Sequence, residues 1–459
     1  MGVLRCSIFA PKFNENMSQT IVLFGAGRSA TRFIRYIQEK SEKNDWSLII
    51  ADRDESLLSE KKAGHHRTES VVFSLDDDGL RQQLIQRADL VVSMVPAHLH
   101  VVIAKDCLTF GVNMLTASYV SEEMQALNAE VERKGLLFLN EMGVDPGIDH
   151  LSAMKMLNDL RDKGADILGF ESFTGGLPAP GLEDNPWQYI FSWNPRNVVL
   201  AGSGGAVKFR QEGRYKYIPY HQLFRRTEFM NIPDYGRFEG YPNRDSLRYR
   251  STYGLQDVPT IFRGTLRRPG FCRAWDVFVK LGMTDDTYYI DDTQNLSHRQ
   301  FVNMFLAFHP SDSIELKLMH YLNIPQDSDL MEKLEWIGLF SEEAIGLNRG
   351  TPAQLLEHLL MKKWRMKPDD RDMIVMFHKV EYKLDSQHHT LKSSMVYKGK
   401  SAKETAMSDT VGLPLALGAE LMLSGKIKQT GVRLPVTKEI YEPMLKRLSE
   451  YGIHFNESL

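Results

Sequence analysis

The fold class of this chain is decided by the stretch Ile21-Val22-Leu23-Phe24-Gly25-Ala26-Gly27-Arg28-Ser29-Ala30. Its first four residues form a short apolar run, which is typical of a buried parallel strand. The next six fit the pattern G-x-G-x-x-A and lead into a helix that we predict over Arg28 to Glu39. The glycines permit a tight turn and a close backbone approach to a pyrophosphate, whose negative charge the helix N-terminus favours. The candidate cofactor-binding residues of this turn are Gly25, Gly27, Arg28, Ser29 and Ala30.

Strands and helices alternate regularly over the first 140 residues. Five further apolar runs lie at residues 48–51, 71–73, 90–95, 112–115 and 136–139. Helical stretches fill the intervals, for example Ala97–Phe110 and Ser121–Lys134. Such alternation is typical of a parallel, doubly wound sheet. We therefore predict an α/β fold that begins with a Rossmann-like sheet of six strands.

Asp52 indicates which dinucleotide binds. It ends the second predicted strand, 22 residues beyond Ala30, close to the position where a carboxylate binds the ribose hydroxyls. A carboxylate there repels a 2′-phosphate, so the sequence favours NAD over NADP. Arg53 keeps NADP open, because a guanidinium group can pair with that phosphate.

Polar side chains follow the fourth and fifth predicted strands. Val95 ends the fourth strand, which we expect to run under the nicotinamide. His98 and His100 come next, and each is either an acid–base group or a residue that caps or covers the following helix. Ser118 and Tyr119 follow the fifth strand at the carboxyl edge of the sheet, where ligands bind in such folds. The Tyr119 hydroxyl can form a hydrogen bond with a ligand. The residue equally fits a core position in which the ring is buried and the hydroxyl reaches solvent.

The loop of residues 140–150 lies where the six-stranded domain should end. Asp145 precedes Pro146-Gly147, which restricts its backbone. We predict that this carboxylate contacts a ligand amine. Asp149 precedes an apolar-periodic helix and is predicted to be its N-cap, which places His150 in the first turn as a structural residue.

The pattern changes after this loop. Residues 174–195 are rich in glycine, proline and aromatic residues, and we predict a long functional loop there. Residues 297–367 have a helical pattern, and residues 373–377 and 394–397 predict paired strands. Arg244 and Arg267 lie beside turn residues. Forked guanidinium groups are natural clamps for carboxylates, but most arginines are solvated surface residues, so the pattern alone assigns neither.

Composition and charge restrict the possible functions. The 459 residues suit two or three domains, and a net charge of -3 gives no electrostatic case for nucleic acid. Three scattered cysteines are too few for a disulfide frame or a zinc site, so we expect no metal and a reducing, cytoplasmic compartment. No apolar run is long enough to span a membrane. The first 17 residues lack a signal-peptide core, and whether residues 1–16 belong to the native chain stays open.

Five segments together resemble the L-glutamate-forming saccharopine dehydrogenases: residues 143–150, 175–180, 191–193, 241–246 and 263–267. The likeness runs from the first strand to the helix that contains residues 408–414. It implies a homodimer whose subunit has three parts. These are a Rossmann-like domain at 17–145 completed by about 404–459, a mixed α/β substrate-binding and dimerisation domain at 146–296 and 368–403, and a small all-helical domain at 297–367.

The resemblance also implies a reaction in lysine metabolism. Saccharopine would be oxidised with NAD or NADP at its secondary amine, and the imine hydrolysed to L-glutamate and 2-aminoadipate 6-semialdehyde, or the reverse. Asp145 and Tyr119 would be the catalytic residues. The positions that match the family's saccharopine site are Ser118, Tyr119, Asp145, Arg244, Thr265, Leu266 and Arg267, and those near its cofactor are Val144, Asp145, Pro146 and Asn194.

Two other functions stay open on the sequence. One is a carboxyamine-forming dehydrogenase similar to carboxynorspermidine synthase, which would act on a different small substrate. The other is a non-catalytic regulator that senses NAD, against which the arginine-containing segments argue. The direction of the reaction, the pathway and the oligomer size also stay open.

Overall fold

The computed structural model describes residues 18–181, 185–325 and 327–459. Residues 1–16 and Met17, the predicted start of the first domain, lie outside these ranges. Within the ranges, no helix is long and apolar enough to cross a membrane. Nor do three or more His, Cys, Asp or Glu side chains of the described residues form a group that could hold a metal ion.

The first third of the chain alternates strands and helices as predicted. All six predicted strands form, and their ends differ from the prediction by at most three residues, as at the third strand, which begins at Thr68. The elements are β1 (Gln19–Phe24), α1 (Thr31–Asn44), β2 (Trp46–Asp52), α2 (Glu55–Lys62), β3 (Thr68–Val72), α3 (Asp78–Gln86), β4 (Leu90–Ser93), α4 (His100–Phe110), β5 (Asn113–Thr116), α5 (Glu122–Ala126), α6 (Asn128–Arg133) and β6 (Leu137–Leu139).

The middle of the chain contributes most of a second sheet. Its elements are α7 (Ile148–Asp162), β7 (Asp166–Pro178), α8 (Pro195–Val199), β8 (Val207–Gln211), β9 (Arg214–Ile218), β10 (Glu228–Ile232), β11 (Gly236–Pro242), α9 (Tyr249–Thr252), β12 (Thr260–Arg267) and α10 (Phe271–Leu281).

The rest of the chain is helical first and then returns to both sheets. The elements are β13 (Ile290–Asp291), α11 (His298–Asn303), α12 (Ile314–Leu322), α13 (Asp329–Trp336), β14 (Arg349–Gly350), α14 (Pro352–Trp364), β15 (Asp372–Leu384), β16 (Gln387–Lys398), α15 (Ala406–Leu423), β17 (Gly431–Arg433), α16 (Lys438–Glu450) and β18 (Asn456–Ser458).

Two expectations about these segments are wrong. Residues 174–178 were expected in a loop, but they end β7. This strand pairs with β12 on one side and β15 on the other, and such pairing outweighs the low strand propensity of its glycines. Residues 297–367 are not all helical, because β14 pairs with β13 before Thr351 caps α14.

The first sheet is parallel throughout. Its seven strands have the order β17-β6-β5-β4-β1-β2-β3, so a C-terminal strand extends the six N-terminal ones. The order in which the strands are added to the sheet reverses between β1 and β4, and ligands bind at such a switch point. The helices α15 and α16 complete this layer by packing on α1 and α7. Gly412 of α15 allows that contact, since a Cβ there would lie 2.6 Å from the Phe33 nitrogen.

The second sheet is mixed. Its main path is β10-β11-β12-β7-β15-β16-β18, and β8 and β9 are attached beside β12. Only β12 and β7 run parallel along that path, and the other pairs are antiparallel. The fold is therefore the predicted α/β class, a Rossmann-like sheet joined to a mixed α/β part.

Candidate active site

Asp145 lies between the two sheets. The loop from β6 to α7 carries it to Tyr119, which follows β5, and to Arg263 of β12. The Tyr119 hydroxyl donates to Asp145 Oδ1 at 2.9 Å, and Arg263 Nη2 donates to the same oxygen at 2.8 Å. The Asp145 side chain remains 15% exposed. The predicted pair of Tyr119 and Asp145 thus lies together where the two sheets meet.

Asp149 does not cap α7, contrary to the prediction. The helix begins at Ile148, one residue before Asp149, and the preceding turn closes with a bond of 2.9 Å from Ile148 N to Gly143 O. Asp149 therefore lies in the first turn, where its Oδ1 accepts from Gly147 N at 2.6 Å. Its other oxygen pairs with Arg263. This carboxylate belongs to the buried ion-pair network.

His150 lies in the first turn of α7, as predicted, and is fully buried. Its Nε2 lies 2.7 Å from Glu141 Oε2, and its Nδ1 lies 2.5 Å from the Tyr253 hydroxyl. The Tyr249 hydroxyl donates to Glu141 Oε2 at 3.0 Å. A buried layer of polar groups therefore lies next to Asp149 and Arg263, formed by His150, Glu141, Tyr249 and Tyr253.

Burial and the neighbouring charges set the protonation of this cluster. Burial raises the pKa of Asp145, and the Asp149 carboxylate raises it further, against the opposing effect of Arg263. Burial also acts to raise the pKa of Asp149, but His150 and Arg263 outweigh it and the pKa falls below its usual value. Burial and the Asp145 charge raise the pKa of the Tyr119 hydroxyl well above its usual value. Tyr119 is therefore a protonated donor, and the two carboxylates differ, because the pKa of Asp145 is raised and that of Asp149 is lowered.

Ser118 is held by His100. The His100 Nε2 lies 2.7 Å from Ser118 Oγ, and its Nδ1 lies 2.7 Å from Ser93 Oγ at the end of β4. Burial lowers the pKa of His100 to about 4, so its imidazole is neutral near pH 7. His98 is exposed in the preceding turn of helix. Of the two histidine candidates, only His100 therefore contacts a predicted site residue.

The two candidate arginines differ in burial. Arg244 follows β11, is exposed, and holds its guanidinium carbon 4.7 Å from the centroid of the Tyr119 ring. Arg267 ends β12, is only 4% exposed, and packs against aromatic rings of which Tyr189 is the nearest, at 4.9 Å. No carboxylate of the described residues lies within ion-pairing distance of either guanidinium. Arg244 is therefore open to an anionic ligand from solvent, whereas Arg267 is enclosed by aromatic rings.

The remaining predicted substrate-binding residues, Thr265 and Leu266, lie on β12, where side chains alternate between the two faces of the strand. Residues two apart point to one face of a strand, so Arg263, Thr265 and Arg267 share a face. Leu266 points the other way into the core and can serve a ligand only through its backbone. The sequence predicted no role for Arg263, Glu141 or Tyr249. For Arg263, the available signal was strand alternation, which places it on the same face as the candidate Arg267.

The glycine turn fits a dinucleotide. Gly25 has a φ of 96° and approaches β4 so closely that a Cβ would lie 2.7 Å from Met94 O and 3.2 Å from Val95 N. A Cβ on Gly27 would meet no atom within 4 Å, so the space above the turn is open to a pyrophosphate. Arg28 to Ala30 form one turn of 3-10 helix that leads into α1. The turn, helix start and neighbouring strand end are therefore those that a dinucleotide requires.

Asp52 lies beside this turn. Its Oδ2 accepts from Ala26 N at 2.7 Å and its Oδ1 accepts from Asp54 N at 3.1 Å, which fixes the carboxylate at the end of β2. Arg53 next to it is exposed. Each carboxylate oxygen has a second lone pair, so the position suits a ribose diol.

The remaining cofactor candidates come from the second part of the chain. Val144 and Pro146 are buried beside Asp145, and the Pro146 carbonyl accepts from Gly143 N at 2.9 Å. Asn194 is exposed, and its side chain caps α8 by accepting from Arg196 N at 3.0 Å. The structure thus places Val144 and Pro146 at the Asp145 turn, and Asn194 at a helix start in the second part.

The sheet order, the glycine turn at its switch point and the polar cluster at its carboxyl edge define a dinucleotide-binding protein of the Rossmann class. Two family models extend this conclusion. The model "Saccharopine dehydrogenase NADP binding domain" matches residues 21–139, and "Saccharopine dehydrogenase C-terminal domain" matches residues 143–453. The chain therefore belongs to the saccharopine dehydrogenase family.

Individual relatives agree with this family. Saccharopine dehydrogenase [NADP(+), L-glutamate-forming] of Saccharomyces cerevisiae is 30% identical over 452 residues, which cover 96% of this chain and 99% of that protein. The mitochondrial alpha-aminoadipic semialdehyde synthase of Rattus norvegicus is 34% identical over 445 residues, 95% of this chain. The chain spans only 47% of the rat protein's length. The apo structure of the yeast enzyme superposes with a TM-score of 0.85 at 28% identity, covering 96% of this chain and 99% of that one.

Proposed function

We propose that this protein catalyses the NAD(P)-dependent oxidation of saccharopine to L-glutamate and 2-aminoadipate 6-semialdehyde, or the reverse reaction, as part of lysine metabolism. The observation that carries this proposal is the arrangement of opposite charges around Tyr119. A carboxylate, Asp145, binds its hydroxyl. A cation, Arg244, covers its ring and has no carboxylate partner among the described residues. That arrangement suits a substrate with both an amine and carboxylates.

Saccharopine has this chemistry, because it joins two amino acids through a secondary amine and has three carboxylates. Arg263 and Arg267 lie four residues apart on one face of β12, about 13 Å along an extended strand. A substrate whose amine binds at Asp145, next to Arg263, would place a distant carboxylate near Arg267. Arg244 and Ser118 would hold a carboxylate closer to the amine.

The residues of this chain supply binding and proton transfer. Gly25, Gly27 and the start of α1 would hold the pyrophosphate of a dinucleotide, and Asp52 its ribose. A bound nicotinamide supplies the hydride acceptor. Ionised Asp145 would pair with the protonated substrate amine and take up its proton. The Tyr119 hydroxyl, held by Asp145 Oδ1, would orient the water that attacks the substrate carbon–nitrogen double bond.

The test is the initial rate of nicotinamide reduction with saccharopine as the only substrate. We expect turnover of saccharopine and little with N-carboxyalkyl diamines, which lack the second amino-acid end that Arg267 would bind. Measurable dinucleotide binding without reduction at any pH would refute the proposed activity. Faster turnover of carboxyalkyl diamines would favour the related carboxyamine-forming enzymes instead.

The proposed cofactor is NAD in preference to NADP. The names of the family model and the yeast relative contain NADP, so this preference would distinguish the chain from them. It rests on the fixed carboxylate of Asp52, which would face the 2′-position of the ribose and repel a phosphate there.

Asp52→Asn is expected to lower the ratio of kcat/KM for NAD to kcat/KM for NADP by about 10-fold or more, because one full charge repulsion and one ribose hydrogen bond are lost. Asp54→Asn is the matched control, since it removes an exposed carboxylate two residues away and asparagine caps α2 equally well. Steady-state rates with both cofactors measure the ratio. A wild-type preference for NADP, or equal ratios in all three proteins, would contradict this assignment.

We further propose a homodimer in the cytoplasm. The support is the second sheet, which the family resemblance connects with dimerisation. Sedimentation equilibrium of the purified chain over a range of concentrations would decide the oligomeric state.

A further inference from the structure

Arg263 is the central cation of the site, although it points away from solvent. Its side chain is 7% exposed, and its Nη2 bonds both Asp145 Oδ1 and Asp149 Oδ2. We propose that Arg263 is a positioning residue that holds the Asp145 carboxylate in one orientation and in its ionised form, with Asp149 as the opposing anchor. This inference rests on the proposed saccharopine oxidation and adds a residue to its machinery.

The two oxygens of Asp145 are used differently. Oδ1 accepts from both Tyr119 and Arg263, at 2.9 Å and 2.8 Å. No hydrogen-bond donor among residues 18–181, 185–325 and 327–459 reaches Oδ2. Because Asp145 keeps some exposure while Arg263 and Asp149 are buried, the bonded oxygen faces the protein. The other oxygen is left for a substrate amine.

Arg263 is held in place by several contacts besides the one with Asp145. Its guanidinium carbon lies 4.4 Å from the centroid of the Tyr249 ring, and its backbone nitrogen donates to Ser246 Oγ at 3.0 Å. Asp149, which is 1% exposed, is itself fixed by Gly147 N. The strand β12 is paired on both edges. The guanidinium is thus held by contacts other than its bond to Asp145, and it can fix the orientation of that carboxylate.

The charges around Asp145 act in opposite directions. Arg263 favours the ionised carboxylate, whereas Asp149 disfavours it. An ionised Asp145 is needed to bind and deprotonate the amine, so activity is present above its pKa and lost as the pH falls through it. Several titratable and charged groups face Asp145 or its direct neighbours. They are Tyr119 after β5, Arg244 after β11, Asp149 and His150 on α7, Tyr249 on α9, Tyr253 after α9, Arg263 on β12, Glu141 next to His150, and His378 on β15.

The test compares Arg263→Met with Asp149→Asn in the pH profile of kcat/KM for saccharopine. Both variants break the ion pair between Arg263 and Asp149, and Arg263→Met also breaks the pair with Asp145. We expect the acid limb of Arg263→Met to move to higher pH by about one unit or more, since a cation at this distance is lost. We expect that of Asp149→Asn to stay or move to lower pH, since an anion is lost. A purely structural role would move both limbs alike.

Arg263→Lys keeps the positive charge but loses the forked guanidinium geometry. We expect the acid limb of its pH profile to lie closer to that of wild type than the limb of Arg263→Met does. We expect kcat to fall at least 10-fold, because a point charge orients a carboxylate less well. Arg81→Met is the control. It breaks a buried arginine–carboxylate pair with Asp106, between α3 and α4 of the first domain, and should leave the pH profile in place.

The outcomes separate this inference from the proposed function. Wild type that fails to oxidise saccharopine would overturn both. Active wild type with acid limbs that coincide in Arg263→Met and Asp149→Asn would overturn only the role of Arg263. If Arg263→Met does not fold, Asp149→Asn and Arg263→Lys decide. An upward shift in Asp149→Asn, or unchanged kcat in Arg263→Lys, would then contradict the proposal.

Discussion

Asp145→Asn is expected to lower kcat/KM for saccharopine by about 10²-fold or more, which is the usual contribution of a positioned acid–base group. The amide keeps the size of the side chain and can still accept from Tyr119 and Arg263. It cannot take a proton from the substrate amine or balance its charge. Initial rates at saturating cofactor, together with dinucleotide affinity, measure the effect. The affinity should change little.

The control for this variant is Asp159→Asn. Asp159 lies on the same helix, α7, but near its far end, where it forms a partly exposed ion pair with Lys155. We expect wild-type kinetics from it. If Asp145→Asn retained kcat/KM within about threefold of wild type, below the smallest usual acid–base effect, the proton-transfer role of Asp145 would be wrong.

Arg267→Met is expected to raise KM for saccharopine by about 10²-fold, because hydrogen bonds to a charged group contribute about 1.5–3 kcal/mol each and a guanidinium can make two. The fold should tolerate the change. Arg267 packs among Tyr189, Tyr241 and Phe271, and its Nε is buried with no hydrogen-bond partner in the part of the chain that the structure describes. A methionine of similar length suits such surroundings.

Arg268→Met gives the comparison at the next residue. The Arg268 guanidinium donates to the Tyr235 carbonyl at 2.7 Å, and Arg268 lies just beyond the end of β12. It should leave KM unchanged. A KM for Arg267→Met within about twofold of wild type would show that this arginine only packs between aromatic rings and binds no substrate carboxylate.

Six of the seven strands of the first sheet were predictable because their signals are local, whereas β17 joins the sheet from the C-terminal part of the chain. The glycine turn from Gly25 to Ala30 and the apolar runs that follow lie within short windows of sequence, and a parallel sheet needs little else. Tyr119 and Asp145 could be selected for the same reason, since one follows a strand and the other stands in a Pro-Gly turn.

What the sequence did not reveal depends on distant contacts. Gly175 and Gly176 look like loop residues, and only pairing with β12 and β15 makes them part of a strand. Asp149 looks like a helix cap from its local sequence. Its actual partner, Arg263, lies 114 residues further along the chain, so the ion pair is not visible there. Arg263 itself is surrounded by residues typical of any turn or strand. The strand alternation that places it on the face of Arg267 is a local signal, but it does not reveal that Arg263 bridges two carboxylates.

The most direct test of the central claim identifies which carbon–nitrogen bond of saccharopine is cleaved. Saccharopine and NAD, or NADP if that is preferred, are incubated with the protein, and free L-glutamate is measured against reduced nicotinamide. We expect one glutamate for each nicotinamide reduced, with the semialdehyde as the second product. Reduction accompanied by L-lysine and 2-oxoglutarate, without glutamate, would contradict the account.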